Sequence, residues 1–416
     1  MQDPDLLPSE KRDFLSRIAA QAVTMNLPCY LVGGFVRDLL LQKPVNDFDI
    51  VLEGDAIKLG NALVKKFGGK LTAHQKFHTC IWHLPEAWNL GPDTLDLISA
   101  RSETYATPGA LPTVKLSTIQ DDLRRRDFTI NAMAVRLDGD QFGWLVDPLN
   151  GQSDLDQSVI RVLQSRSFID DPTRMLRAVR YEQRYGFKIE PGTLKLITSE
   201  PFGVLSKLSG ERIRHEFDLI FEEEHSAEMM QRLSELGIFR SFKPVLPILN
   251  EKYAGFFGSQ PANEMGIPHN RVLLGYLLWL LDSNPEQAAS LAKRLDFTAV
   301  LTEAVLSVIQ LKTELPMLAG SKPSQWTVRL DKVPLMAVYA VWLVTDESAL
   351  KEFLVKWRHI KPLITGEDLK ALGIPPGPRY KEILSRLRAA WLDGEIHSDK
   401  EERLLLDTLV NSNLIK

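Results

Sequence analysis

Leu31-Val-Gly-Gly-Phe-Val-Arg-Asp38 and, shortly after it, Asn46-Asp-Phe-Asp-Ile-Val51 are the stretches on which the fold turns. A short apolar run entering two glycines, then a helix-compatible segment, predicts a strand, a tight turn and a helix. Glycines at such a turn let backbone N–H groups approach phosphate oxygens, and a helix N-terminus favours their negative charge. Gly33 and Gly34 therefore read as a phosphate seat. Asp47 and Asp49 stand two apart in a predicted strand, so both side chains leave the same face about 7 Å apart along it. Two carboxylates so placed can share Mg²⁺, a hard cation that takes a few carboxylates together with substrate phosphates.

Outward from this core the pattern is α/β. Strands are predicted at Tyr30-Leu-Val, Phe48-Asp-Ile-Val-Leu, Thr94-Leu-Asp-Leu-Ile and Ala132-Met-Ala-Val-Arg-Leu, with a helix over Asp55 to Phe67 ending at Gly68-Gly69. Asp96, in the third of these strands, offers a third carboxylate from a neighbouring strand. After Leu155 the strand signal fades. Met175, Leu176 and Val179, or Ile213, Phe217 and Ile220, recur instead with helical period, which predicts a mostly helical remainder. Breaks fall at Asp147-Pro-Leu-Asn-Gly, at Glu222 to His225 and in Gly373-Ile-Pro-Pro-Gly-Pro.

Composition bounds the partners only loosely. The 416 residues carry 50 Lys+Arg against 54 Asp+Glu, a net charge of −4, so any nucleic-acid contact has to come from a local basic patch. Cys29 and Cys80 are the only cysteines, which excludes a cysteine metal site and reads as two buried thiols in a reducing compartment. The first dozen residues are acidic and proline-bearing, and the longest apolar stretch, near Leu273 to Leu281, is too short to span a bilayer. A cytoplasmic protein without a membrane association is expected. Nothing in the sequence sets its oligomeric state.

Two further clusters carry charge in a pattern. Asp122-Leu-Arg-Arg-Arg-Asp-Phe-Thr-Ile-Asn-Ala-Met-Ala runs a basic triplet into an apolar segment. A solvated charge run or a helix entry would account for it, but arginine forks on a rigid element also suit a triphosphate. Asn131 inside that apolar run needs a polar partner if buried. In Phe168-Ile-Asp-Asp-Pro-Thr-Arg-Met-Leu-Arg-Ala-Val-Arg-Tyr, the three-residue steps of Asp171, Arg174 and Arg177 predict one shared helix face. On its own that pattern reads equally as a salt-bridge ladder.

These clusters, with Val146-Asp-Pro-Leu-Asn-Gly-Gln-Ser-Asp-Leu and Ser209-Gly-Glu-Arg-Ile-Arg-His-Glu in the same order, resemble the class II tRNA nucleotidyltransferases and bacterial poly(A) polymerases over roughly residues 25 to 220. Leu363-Ile-Thr-Gly-Glu-Asp-Leu-Lys-Ala-Leu-Gly-Ile-Pro-Pro-Gly-Pro looks like part of the helical tail of some members. The resemblance implies an α/β head of the polymerase-β nucleotidyltransferase fold followed by all-α neck, body and tail, with expected boundaries at 1–150, 151–225 and 226–416. It implies Asp47 and Asp49 as Mg²⁺ ligands with Asp96 as a third catalytic carboxylate. It places nucleotide contacts at Gly33, Gly34, Arg37, Arg126, Asp127, Asn131, Asp171, Arg174, Arg177 and Arg180, with Asp171 and Arg174 reading the base. The expected partners are ATP, CTP and the 3′ end of tRNA, and general RNA 3′ ends if the chain is a poly(A) polymerase.

Three details of the sequence bear on the resemblance. The family commonly has Glu-Asp-x-x-Arg where this chain has Asp170-Asp-Pro-Thr-Arg, and the shorter Asp170 puts the orientation and the role of Arg174 in question. Ala100 to Thr113, with Pro108-Gly109 and Pro112, reads as a loop at the position that accompanies A addition in the family. No His is followed by Asp, so the phosphohydrolase activity of some relatives is not expected.

Overall fold

The computed structural model describes residues 9–44, 48–85, 93–199 and 203–411. It falls into two compact units, Met1–Leu208 with Glu235–Phe242, and Ser209–Ser234 with Lys243–Lys416.

The first unit is built on a seven-stranded sheet. Its strands are β1 (Cys29–Val32), β2 (Asp49–Leu52), β3 (Lys70–His74), β4 (Thr79–His83) and β5 (Thr94–Ser99). A separate hairpin, β6 (Arg101–Thr104) and β7 (Thr113–Leu116), precedes β8 (Ala134–Arg136) and β9 (Leu145–Val146). The sheet order is β3-β4-β5-β2-β1-β8-β9, and only β2 and β5 run parallel among these neighbours. Leu95, Leu97 and Ser99 of β5 are buried while Thr94 and Asp96 are exposed, the alternation of a strand with one covered face.

The unit's helices are α1 (Ser9–Thr24), α2 (Gly34–Leu40), α3 (Ala56–Phe67), α4 (Ile119–Arg124), α5 (Gly151–Asp156), α6 (Ser167–Asp170) and α7 (Thr173–Tyr185), with α3 on one face of the sheet and α4 on the other. Helix α3 starts where the Asp55 carboxylate accepts the Ile57 and Lys58 N–H groups, and it stops at Gly68, whose φ of 86° a side chain would resist. Its buried face includes Leu59 and Leu63, each contributing about 2 kcal/mol by burial. On the other face, Ile119 and Leu123 of α4 join Tyr30, Val32, Val51 and Ala134 in one apolar cluster. That is the face Asp49 shares with Val51, two residues along β2, so α4 lies on the carboxylate side of the sheet.

The predicted strands at Tyr30, Phe48, Thr94 and Ala132 and the helix at Asp55 are all present. One expectation is corrected: Ala100 to Thr113 is not all loop, because β6 and β7 pair from Arg101↔Leu116 to Thr104↔Thr113, leaving only 105–112 as the connection. β6, Arg-Ser-Glu-Thr, is wholly polar, and the alternation in β7, Thr-Val-Lys-Leu, is only four residues long.

The second unit is helical. Its centre is aromatic: Phe217 meets Trp279 at 4.9 Å and Phe221 meets Tyr276 at 4.8 Å between ring centroids. These rings come from helices Gly210–Phe221 and Arg271–Leu280, the latter being the predicted apolar stretch, buried from Leu274 onward. Nearer the C-terminus, Ile364, Leu369, Ile374, Ile383, Leu387 and Leu406 form a separate small core. No helix among the described residues is long and apolar enough to cross a membrane.

Candidate active site

Strand pairing brings the two described carboxylates together. Asp49 of β2 and Asp96 of β5 are direct partners in a parallel pair, so their side chains leave the same face on adjacent strands. Asp47 lies outside the described residues. The β1–β2 register, carried one residue beyond Leu31↔Ile50, sets Val32 beside Asp49 and Gly33 just past it. The glycine turn and the carboxylates therefore meet at one end of the sheet.

Gly33 has φ 67° and ψ −127°, its N–H donates to the Met133 carbonyl at 3.2 Å, and α2 begins at Gly34. A Cβ on Gly33 would stand 2.5 Å from Arg126 Nη1, so the absent side chain is what admits the guanidinium. Arg126 arrives from α4, whose C-terminal end carries the basic triplet, the end at which a helix dipole favours cations. Buried Asp122 orients it: Arg126 Nη2 donates to Asp122 at 3.0 Å, and Arg125 donates at 2.7 and 2.9 Å. Burial alone would raise the Asp122 pKa, but the charges and hydrogen bonds of Arg126 and Arg125 outweigh it and hold the carboxyl below its ordinary range. Arg126 Nε is buried with no hydrogen-bond partner among the described residues.

Beside this stands a chain of buried polar groups. Arg37 donates to Asp38 at 2.8 and 2.9 Å and to Asn131 Oδ1 at 2.6 Å. Asn131 passes its amide to Asp127 Oδ1 at 2.9 Å, and Arg177 closes on Asp127 Oδ2 at 2.6 and 2.9 Å. Asn131 thus has the partners its burial demands. Asp127 is the anchor of the chain. Burial would raise its pKa, yet the charge of Arg177 and the hydrogen bonds from Asn131 and Arg177 hold it well below the usual carboxylate range. Tyr181 and Tyr185 line the same helix. The Arg37 guanidinium lies 4.8 Å from the Tyr185 ring centroid, and the Tyr185 hydroxyl donates to Asp38 at 3.0 Å.

The third cluster departs from the expected shared helix face. Asp171 precedes α7, and its Oδ1 accepts the Thr173 N–H at 3.2 Å and the Thr173 hydroxyl at 2.7 Å, so it binds the first residue of the helix rather than riding on it. Arg177 turns to Asp127. Arg174 turns to Ser167 Oγ at 2.8 Å and the Arg125 carbonyl at 2.7 Å. Arg180 is buried, with its guanidinium 5.6 Å from the Tyr181 ring centroid. The connection 105–112 reaches this region, where the Gly109 N–H donates to the Ile169 carbonyl at 3.2 Å.

The structure thus gathers Gly33, Gly34, Arg37, Arg126, Asp127, Asn131 and Arg177 about one sheet end, with Arg174 joined to them through Arg125. Sequence reasoning overlooked three residues of this constellation. Asp122 was detectable, standing three and four before Arg125 and Arg126 as helix neighbours do. Ser167 gave no signal, because it meets Arg174 only in the fold, and Asp38, although it pairs with the adjacent Arg37, is tied to Tyr185 only there.

Both thiols are buried as expected. Burial, with nearby Asp138 for Cys29 and Asp55 for Cys80, pushes each up to about 12, so neither is a ready nucleophile.

Comparison with known proteins bears on the same residues. The family described as "Poly A polymerase head domain" matches residues 29–161, and "Probable RNA and SrmB- binding site of polymerase A" matches residues 186–249. An A-adding tRNA nucleotidyltransferase of Halalkalibacterium halodurans is 33% identical over 95% of this chain and 92% of its own length. Another A-adding tRNA nucleotidyltransferase, from Geobacter sulfurreducens, is 34% identical over 93% of this chain, which spans only 46% of that relative's length. Among solved structures, the Thermotoga maritima CCA-adding enzyme complexed with tRNA superposes with a TM-score of 0.77 at 29% identity, over 99% of this chain and 98% of that one.

Proposed function

The chain belongs to the tRNA nucleotidyltransferase and poly(A) polymerase family, and on that premise we propose that it transfers AMP from ATP to the 3′-hydroxyl of tRNA, adding the terminal A. The observation that carries nucleotidyl transfer is the Asp49–Asp96 pair on one sheet face, beside a Gly33 turn covered by Arg126. Addition of A rather than C is supported by the 105–112 connection, present and tied to Ile169, and by the two relatives above, both named for A addition.

The family implies a divalent metal, and the donor set fits one: carboxylate oxygens adjacent on one face are what a hard cation takes. Asp49 and Asp96 would hold Mg²⁺, with Asp47 as the further ligand. When bound, it supplies a lowered pKa at the attacking hydroxyl and countercharge for the triphosphate and the leaving pyrophosphate. The part-exposed Arg126 guanidinium and the N–H groups opening α2 bind phosphate oxygens. Asp127, fixed by Asn131 and Arg177, faces the sugar and phosphates of the incoming nucleotide. No covalent enzyme intermediate is needed.

Asp171 and Arg174 select the base. Adenine and cytosine each present an amino donor beside a ring-nitrogen acceptor, whereas guanine and uracil present a carbonyl beside an N–H. A carboxylate acceptor next to a guanidinium donor matches the first pair, and each mismatch leaves a buried polar group unpaired at about 1–3 kcal/mol. Buried thiols accord with the reducing cytoplasm as the site of action.

The test uses tRNA ending at the discriminator base, in C or in CC, and separately an unstructured RNA, each with ATP and CTP. A single A added to the CC-ending tRNA alone is the expected product. CCA completed on the shortest tRNA would make it a full CCA-adding enzyme. Long A tails on the unstructured RNA, without preference for tRNA, would instead make it a poly(A) polymerase.

A further inference from the structure

Arginine has five N–H donors on a stem with four rotatable bonds, so a base reader built from it needs its plane fixed before the nucleotide arrives. In Arg174, which is only 6% exposed, two donors are committed within the protein. Nη1 donates to Ser167 Oγ at 2.8 Å and Nη2 to the Arg125 carbonyl at 2.7 Å. That carbonyl belongs to the C-cap residue of α4, where a helix end leaves its acceptors unsatisfied and its dipole negative. Ser167, the first residue of α6, is fully buried. Asp170 turns elsewhere, toward Arg166 at 3.6 Å, a side chain that is itself largely exposed.

We infer that Ser167 is the positioning residue of Arg174, pinning the guanidinium plane together with the Arg125 carbonyl so that its three remaining N–H groups meet the incoming base in one direction. The carboxylate preceding Asp171 has no part in it. The same pinning joins the base reader to α4, since Arg125 also holds Asp122 with its own side chain. The inference rests on the assignment of Arg174 to base selection.

Ser167→Ala removes one oxygen from a fully buried position and leaves Nη1 unpaired. Misincorporation on CC-ending tRNA, measured nucleotide by nucleotide, should show the kcat/KM ratio of ATP over UTP or GTP reduced about tenfold or more. The loss should appear mainly as a raised KM for ATP with kcat at saturation close to wild type, while the unpaired Nη1 lowers the thermal midpoint by a few degrees at most. Ser167→Thr, which keeps the hydroxyl, should retain the ratio. Ser167→Cys, of similar size with a weaker acceptor, should fall between. A wild-type ratio in Ser167→Ala while Arg174→Ala loses discrimination would overturn the inference alone. Discrimination kept by Arg174→Ala would remove the base-reading assignment and this inference with it. A uniform fall in kcat for all nucleotides together with a lowered midpoint would show Ser167 to be structural only.

Discussion

Replacing Arg177 by Met keeps the length of the stem and removes the charge that faces Asp127. Asp127 is 7% exposed, and its Oδ2 takes both of its described hydrogen bonds from Arg177, while Oδ1 keeps the Phe128 N–H and the Asn131 amide. Removing one partner of a buried pair costs about 3–5 kcal/mol. The Arg177 side chain is 29% exposed, so water partly replaces it, and two donors remain on Oδ1, which brings the expected loss to about 2–3 kcal/mol at neutral pH.

The pH dependence has a definite sign. A carboxyl depressed in the folded protein stabilises above its unfolded pKa of about 3.9, and that contribution is lost as the pH falls through the folded value. With the Asp127 pKa held well below the usual range, the wild type keeps the contribution at pH 4 and above and loses it only in stronger acid. In Arg177→Met burial persists without the opposing charge, the pKa rises, and the acid-unfolding midpoint should move up by about one pH unit. Urea titration at pH 7 and acid titration from pH 7 to 2, both followed by tryptophan fluorescence, read the two effects. Curves superimposable on wild type in both titrations would refute the claim that Arg177 holds Asp127 ionised.

Two other variants probe the sheet end. Asp49→Asn should lower AMP transfer more than about a hundredfold with little change in thermal midpoint, and a variant that stays as active as wild type at every Mg²⁺ concentration would count against Asp49 as a ligand. Gly33→Ala forces a side chain into φ 67° and against Arg126 Nη1, so about 2 kcal/mol of stability and much of the ATP affinity should go together, checked by urea unfolding and by KM for ATP.

How far the sequence reveals this arrangement depends on the range over which each residue finds its partner. Helix α3 is local: Asp55 caps it, Gly68 ends it and Leu59 and Leu63 mark its buried side, so it can be read off the chain. The Asp49–Asp96 pairing is half legible, since both strands announce themselves but the register that sets them side by side is a tertiary choice. Strand β3 is hidden because Lys70, Thr72, Ala73 and His74 are all exposed, leaving no alternation to detect. Arg177 was expected to share a face with Asp171 and Arg174, which helical spacing allows. Its actual partner lies fifty residues earlier, and no local pattern points to Asp127.

Buried ionic networks are poor sources of stability, because desolvation offsets most of the attraction. Their value here is orientation. Along Asp38, Arg37, Asn131, Asp127 and Arg177 each formal charge has its opposite within hydrogen-bond distance. Arg126 breaks the pattern. Asp122 holds one of its nitrogens and shares its charge with Arg125, while Nε is buried with no acceptor among the described residues. A buried donor left unmatched costs free energy that the folded protein alone does not recover. Nη1 of the same guanidinium lies against Gly33, whose missing side chain leaves room for it, at the end of the sheet where the carboxylates gather. An anionic ligand with several oxygens completes that geometry, and a triphosphate supplies them where the proposed metal ligands also stand.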